Sequence, residues 1–171
     1  MELPVFPAPE RSSPSAPRHG VRRLVSWLDP PQWLLLALIS VVVLHLLLPT
    51  ARVVPRGCFW GCASLAVLGF VLAQMASRQM VRAALSTEFG ATPASLLSEG
   101  CFAFSRNPMY LGMLLLLFGE AAMLGTLGAL LPVPVFFLGL QLRYVPDEER
   151  RLQEAFGASW FEYSRRVRRW I

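Results

Sequence analysis

The sequence has little charge and no lysine. Only 16% of its 171 residues are charged, whereas about a quarter of the residues in a soluble domain are charged. All 16 basic residues are therefore arginine, and the formal net charge is +5. With 54% hydrophobic residues, the composition argues against a soluble domain. It favours a single domain placed in a membrane.

Cysteine is also scarce. Of the three cysteines, Cys58 and Cys62 lie one helical turn apart in an apolar segment, and Cys101 is remote from them. A metal site would need further ligands near the pair, and the sequence has none there. The sequence gives no sign of a disulfide framework, and we expect no metal and no nucleic-acid partner.

Long apolar segments account for most of the remaining chain. Residues 1–26 are rich in proline and serine and predict a disordered tail. The first apolar segments cover about 33–48 and 58–76, each close to the length that spans a bilayer. The next apolar segment covers 109–144, which is too long for one span.

Turn residues divide this last apolar segment. Gly125, Gly128, Pro132 and Pro134 cluster near its middle, which predicts a hairpin of two helices at about 109–124 and 128–144. We therefore expect an all-α polytopic protein with four transmembrane helices.

The arginines predict the orientation of these helices. Fourteen of the 16 fall in the N-terminal tail, in 77–108 or after Leu142, which four spans would place on one side. Arginine-rich segments stay in the cytosol. We therefore expect a multi-pass protein with both termini and both segments cytosolic.

The last residues predict an amphipathic helical tail. In ASWFEYSRRVRRWI, Trp160, Phe161, Val167 and Trp170 supply apolar groups, and four arginines lie toward the end. A basic helix of this kind lies on an anionic membrane surface, so anionic lipid head groups are expected partners of the tail.

Two polar motifs flank the hairpin, and each alone has an ordinary explanation. Arg106 and Pro108 in SRNPMYLG suit a membrane boundary and the first turn of a helix. The acids Asp147, Glu148 and Glu149 suit a helix N-terminus, because they complement its dipole.

Taken together, the two motifs resemble the isoprenylcysteine carboxyl methyltransferase and phospholipid methyltransferase family of membrane enzymes. The family pattern is R-[HN]-P-x-Y-x-G followed by EE-x-x-L-x-x-x-FG-x-x-[YW]-x-x-Y. The matching residues here are Arg106, Asn107, Pro108, Tyr110, Gly112, Glu148, Glu149, Leu152, Phe156, Gly157, Trp160 and Tyr163. The resemblance covers about 78–171, and 27–171 would form one membrane methyltransferase domain.

The resemblance implies that S-adenosylmethionine is the cofactor and that a lipophilic acceptor enters from the bilayer. By position, the implied cofactor-binding residues are Ser95, Leu96, Leu97, Phe102, Asn107, Pro108, Met109, Tyr110, Glu148 and Glu149. Glu148 would receive the polar, positively charged end of the cofactor.

The resemblance leaves the acceptor open. A prenylcysteine carboxylate or a related isoprenoid or lipid is the first expectation. The alternatives are a phospholipid amine, a small thiol, or a non-catalytic scaffold with a lipid-binding basic tail. The prenylcysteine branch has a histidine where this chain has Ala94, and a substrate arginine where it has Tyr144. Arg143 stands one residue away and is a candidate for the substrate carboxylate.

Glu120 is a second candidate for a catalytic role. It lies about 15 Å along its helix from Tyr110, at about 1.5 Å per residue. An ionisable residue at that depth is a functional candidate, although it can also be a protonated packing residue.

Overall fold

The computed structural model describes residues 29–48, 50–85 and 96–171. The tail expected over 1–26 and the candidate Ser95 lie outside these described residues. Every regular element within them is a helix, which confirms the all-α class.

The described residues form seven α-helices. In chain order they are α1 (Pro30–Leu47), α2 (Phe59–Leu85), α3 (Pro108–Leu124), α4 (Leu127–Leu130), α5 (Pro132–Gly139), α6 (Val145–Phe156) and α7 (Ala158–Arg166). Short 3-10 turns at Arg56–Cys58 and Gly100–Ala103 and a π-helical turn at Leu140–Tyr144 complete the path.

Three helical segments are long and apolar enough to cross a membrane. They are Pro30–Leu47, Arg56–Ala83 and Leu127–Phe156. These segments support the expectation that this is an integral membrane protein. The remaining expected span is α3, which has 17 residues and sits at the lower limit of about 17–25 for a spanning helix.

Helices α2 and α3 pack backbone to backbone as an antiparallel pair. A Cβ added at Gly112 would lie 2.5 Å from the backbone nitrogen of Ala73 and 2.6 Å from the carbonyl oxygen of Gly69. One added at Gly119 would lie 2.6 Å from the backbone nitrogen of Ala66. Small residues allow this approach, which drives helix association where hydrocarbon supplies no hydrophobic force. The glycine of SRNPMYLG therefore serves helix packing.

The break predicted after α3 is present. The helix ends at Leu124, and Gly125 adopts the left-handed conformation with φ 72°. Thr126 then caps α4 by accepting a hydrogen bond from the amide of Ala129 at 3.4 Å. The amide of Val53 donates to the carbonyl of Gly125 at 2.8 Å, so the α1–α2 connection closes over this turn.

The returning helix does not stop near residue 144, where we expected the chain to leave the membrane. It passes through the π-helical turn into α6 and ends at Phe156. Pro146 lacks an amide hydrogen, and its ring would crowd the carbonyl four residues earlier in a regular helix. The wider turn that directly precedes it accommodates the proline, so the expected boundary lies inside a continuous helix.

Helix α7 turns aromatic side chains toward the protein. Trp160 and Tyr163 are 4% and 3% exposed, whereas Phe161 is 51% exposed. Trp170, in the following segment, packs its ring 5.4 Å from that of Phe137. Most of the aromatic surface of the tail that we expected to lie on the membrane is therefore buried against the protein itself.

The α2–α3 contact predicts a sharp difference between two glycines. Gly119→Ala should lower the unfolding free energy by about 1–3 kcal/mol or more, because overpacking forces the backbones apart. Gly61→Ala is the matched control, since nothing lies within 4 Å of its added Cβ. Thermal unfolding in detergent measures both, and equal melting temperatures would contradict the backbone contact.

Candidate active site

Two adjoining cavities lie where the end of α2, the loop 96–107 and the start of α6 meet. The first, here called the loop cavity, has about 250 Å³ and is lined by Met80, Ala83, Leu96, Leu97, Phe102, Arg106, Glu148, Leu152, Phe156 and Tyr163. The second, here called the polar cavity, has about 450 Å³ and is lined by Asp29, Pro30, Met80, Met109, Tyr110, Arg143, Tyr144, Asp147, Glu148 and Arg151. Because Met80 and Glu148 line both, the two spaces share a wall.

Glu148 is the acidic side chain common to both cavities. The hydroxyl of Tyr110 and the guanidinium of Arg151 both lie close enough to its carboxylate to interact with it electrostatically. Two neighbours therefore orient a carboxylate that faces both spaces. Such a group can hold a cationic ligand at the junction.

The loop that walls the first cavity is fixed from both sides. On the α2 side, the carbonyl oxygen of the Gln79 side chain accepts a hydrogen bond from the amide of Cys101 at 3.3 Å. On the α7 side, the hydroxyl of Tyr163 donates to the carbonyl of Phe102 at 2.8 Å. Burial raises the pKa of Tyr163 to about 12, so this donor keeps its proton at physiological pH.

Arg106 forms the polar wall of the loop cavity. Its guanidinium donates to the carboxylate of Glu149 at 2.9 Å and lies 5.8 Å from the centre of the Trp160 ring. Its Nε is buried and has no hydrogen-bond partner among the described residues. Because the side chain lines the cavity, its guanidinium is a candidate hydrogen-bond donor to a ligand there.

Asn107 and Pro108 organise the start of α3. Pro108 is the first residue of the helix, as the sequence predicts, and it is buried. The side-chain amide of Asn107 donates to the carbonyl of Arg169 at 3.0 Å, and its backbone amide donates to the hydroxyl of Ser105 at 3.1 Å. Neither residue lines either cavity, so their predicted contact with a cofactor rests on the resemblance alone.

The structure brings most of the other predicted site residues together. Leu96, Leu97, Phe102 and Glu148 line the loop cavity, and Met109, Tyr110, Arg143 and Glu148 line the polar cavity. Arg143 also lies 6.0 Å from the centre of the Tyr144 ring.

Two predicted site residues lie apart from these cavities. Glu149 lines neither of them and is instead paired with Arg106 and Arg169. Glu120 is ten residues beyond Tyr110 on α3 and also lines neither cavity. One of its carboxylate oxygens is buried without a hydrogen-bond partner among the described residues.

Sequence reasoning missed several lining residues. Leu152 and Phe156 were not among the predicted site residues, although they follow the predicted Glu148 at intervals of four residues on α6 and share the face that lines the loop cavity. This spacing was a usable signal. Met80, Ala83 and Asp29 carry no such signal, because only the folded chain brings α1 and α2 to this place.

Comparison with known proteins agrees with this geometry. A family model described as phospholipid methyltransferase matches residues 58–159. The chain belongs to the phospholipid methyltransferase family. The matched residues run from α2 to the start of α7 and include most of the residues that line the two cavities. Neither a curated protein nor a solved structure matches the chain. Membership in the family implies a methyltransferase that works at a membrane.

The residues present fit the cofactor that such an enzyme would use. S-adenosylmethionine carries a planar base, a sulfonium and an amino-acid end. The loop cavity is lined by the aromatic Phe102, the acidic Glu148 and the guanidinium-bearing Arg106. An aromatic face, an anion and a donor are the groups that this molecule requires.

Proposed function

We propose that the protein transfers a methyl group from S-adenosylmethionine to a lipophilic acceptor. The observation that carries this proposal is the position of Glu148, which lines both the loop cavity and the polar cavity. One space can then hold the cofactor and the other the acceptor, with the transfer taking place at their shared wall.

The loop cavity suits the cofactor. Leu96, Phe102 and Phe156 give it apolar walls for a base, and Glu148 supplies the negative charge for the amino-acid end or the sulfonium. When bound, the cofactor would supply an electrophilic methyl group, which passes to the nucleophilic atom of the acceptor while the S–CH3 bond breaks and the sulfur leaves as a neutral thioether. The chain therefore needs mainly to align the two molecules and exclude water.

The polar cavity suits the reacting end of the acceptor. Arg143 and Arg151 line it together with Asp29 and Asp147, so it can pair with a charged group. A carboxylate or thiolate acceptor needs no strong base. We favour a prenylcysteine carboxylate or a related isoprenoid or lipid, with Arg143 as the residue that meets the carboxylate.

We further propose that all four apolar helical segments cross the bilayer, so that cofactor enters from the cytosol and acceptor from the membrane. The distribution of arginines supports this orientation. The exposed Arg165, Arg166 and Arg168 would then face anionic head groups of the inner leaflet.

Cofactor binding tests the central proposal. Glu148→Gln keeps the shape of the side chain and removes its charge, so affinity for S-adenosylmethionine should fall about ten- to a hundredfold, as for loss of a charge-assisted hydrogen bond. Glu154→Gln, an exposed position on the same helix, is the matched control and should leave affinity unchanged. Calorimetry on the purified protein in detergent measures both. Folded wild-type protein that binds no cofactor would refute the proposal.

The acceptor is tested by methyl transfer from labelled cofactor to a farnesylcysteine analogue and to a whole-lipid extract. We expect label in the carboxyl ester of the analogue. Arg143→Ala should raise the KM for that acceptor about tenfold, because it loses a charge-assisted contact. Label in phospholipid amines would exclude the carboxylate acceptor. Protein that binds cofactor yet labels nothing would favour the non-catalytic scaffold.

The orientation is tested by labelling single cysteines in a variant whose three native cysteines are replaced. With an impermeant maleimide, Arg56→Cys should react in intact cells and Gln153→Cys only after permeabilisation, since both positions are exposed. The reverse pattern, or labelling of both positions from one side, would overturn the four-span orientation.

A further inference from the structure

The segment 167–171, here called the strap, crosses three parts of the fold. The carbonyl of Arg168 accepts a hydrogen bond from the backbone amide of Arg106 at 2.9 Å. The carbonyl of Arg169 accepts the side chains of Asn107 at 3.0 Å and Ser105 at 3.4 Å. The indole of Trp170 donates to the side chain of Gln141 at 2.9 Å. The strap therefore joins the start of α3 to the π-helical turn.

The side chain of Arg169 adds a further contact, this time to α6. Its Nε lies 3.1 Å and its Nη2 lies 2.6 Å from the two carboxylate oxygens of Glu149. This hydrogen-bonded pairing raises the pKa of Arg169. The two parallel bonds form a bidentate contact, which fixes the direction of the carboxylate as well as holding it.

Glu149 in turn holds Arg106. The Glu149 side chain is 14% exposed, and the Arg106 side chain that it binds is 17% exposed. A carboxylate this far from water needs well-placed partners, and here two arginines share it. The Arg106 side chain itself lines the loop cavity.

The consecutive glutamates therefore have different surroundings. Side chains of neighbouring residues on a helix point about 100° apart, since a turn takes about 3.6 residues. Glu148 faces the two cavities, and Glu149 faces the strap. The family match ends at residue 159, so it assigns nothing to the strap.

We propose that Arg169 is a positioning residue for cofactor binding, which acts through Glu149 to hold Arg106 at the wall of the loop cavity. This inference rests on the proposed function, because it takes the loop cavity as the cofactor site. Arg169 itself does not touch the cavity. Its loss would leave Glu149 with a single partner and allow both Glu149 and Arg106 to turn away from their present positions.

The test compares substitutions at Arg169 in the full chain purified in detergent. Calorimetry with S-adenosylmethionine and with its demethylated product gives the dissociation constant and the number of sites per protein. Arg169→Ala should weaken binding about tenfold while the number of sites stays the same. The dissociation constant of Arg169→Lys should lie between those of the wild type and Arg169→Ala, because an ammonium keeps the charge but cannot bind the carboxylate in the bidentate manner.

Two further variants keep the test decisive. Glu149→Gln should weaken binding in the same way and covers the case in which Arg169→Ala does not fold. Arg82→Ala removes an exposed arginine of α2 that lines neither cavity, and it should bind the cofactor as the wild type does.

At saturating cofactor, kcat of Arg169→Ala should stay within about twofold of the wild type, because only binding is impaired.

The outcomes separate this inference from the proposed function. Wild-type protein that binds cofactor, with Arg169→Ala and Glu149→Gln binding equally well, would overturn the inference alone. An unchanged dissociation constant with fewer sites would also overturn it, since it would show a purely structural role. Wild-type protein that binds no cofactor would overturn both proposals.

Discussion

The backbone contact between α2 and α3 is the constraint on which the rest of the site depends. Gly112 lies against Gly69 and Ala73, and Gly119 lies against Ala66. This close antiparallel pairing fixes the start of α3 beside the end of α2. Tyr110 and Met80 consequently line the same polar cavity although they are 30 residues apart in the chain. Hydrocarbon offers little hydrophobic force between helices, so close packing of small residues has to supply the stability here.

A second constraint is that the buried backbone groups around the start of α3 need hydrogen-bond partners. The loop before α3 is held by Gln79 and Tyr163, and the strap accepts hydrogen bonds from the backbone amide of Arg106 and the side-chain amide of Asn107. Because the loop carries Phe102 and the strap orients Arg106, the hydrogen bonds that complete the fold also shape the loop cavity. Stability and binding therefore share the same contacts, and a substitution that breaks one should weaken both.

The sequence predicted the helical class, the turn after α3 and several of the residues that line the cavities, because each of these leaves a local pattern. Apolar segments, clustered glycine and proline residues and two spaced motifs are all visible along the chain. The path through Pro146 was not predictable, since a proline usually ends a helix and the π-helical turn that relieves it has no clear signature. The separate placements of Glu148 and Glu149 were also hidden. Two adjacent acids look equivalent in a sequence, and only the neighbours on each side of the helix distinguish them.

The contacts of Glu149 depend on a property of arginine that lysine lacks. Two cations share this carboxylate, and one of them contacts both oxygens through the planar fork of its guanidinium. An ammonium group is a point charge on a flexible stem and cannot fix the plane of a carboxylate in this way. Arg106 also lies over the ring of Trp160, a contact that suits a flat, weakly hydrated cation. Since both positions use the geometry of the guanidinium as well as its charge, replacing either by lysine would preserve the net charge of the cluster and still loosen it. The wall of the loop cavity thus depends on the planar shape of two guanidinium groups. Counting charges along the sequence cannot reveal this dependence.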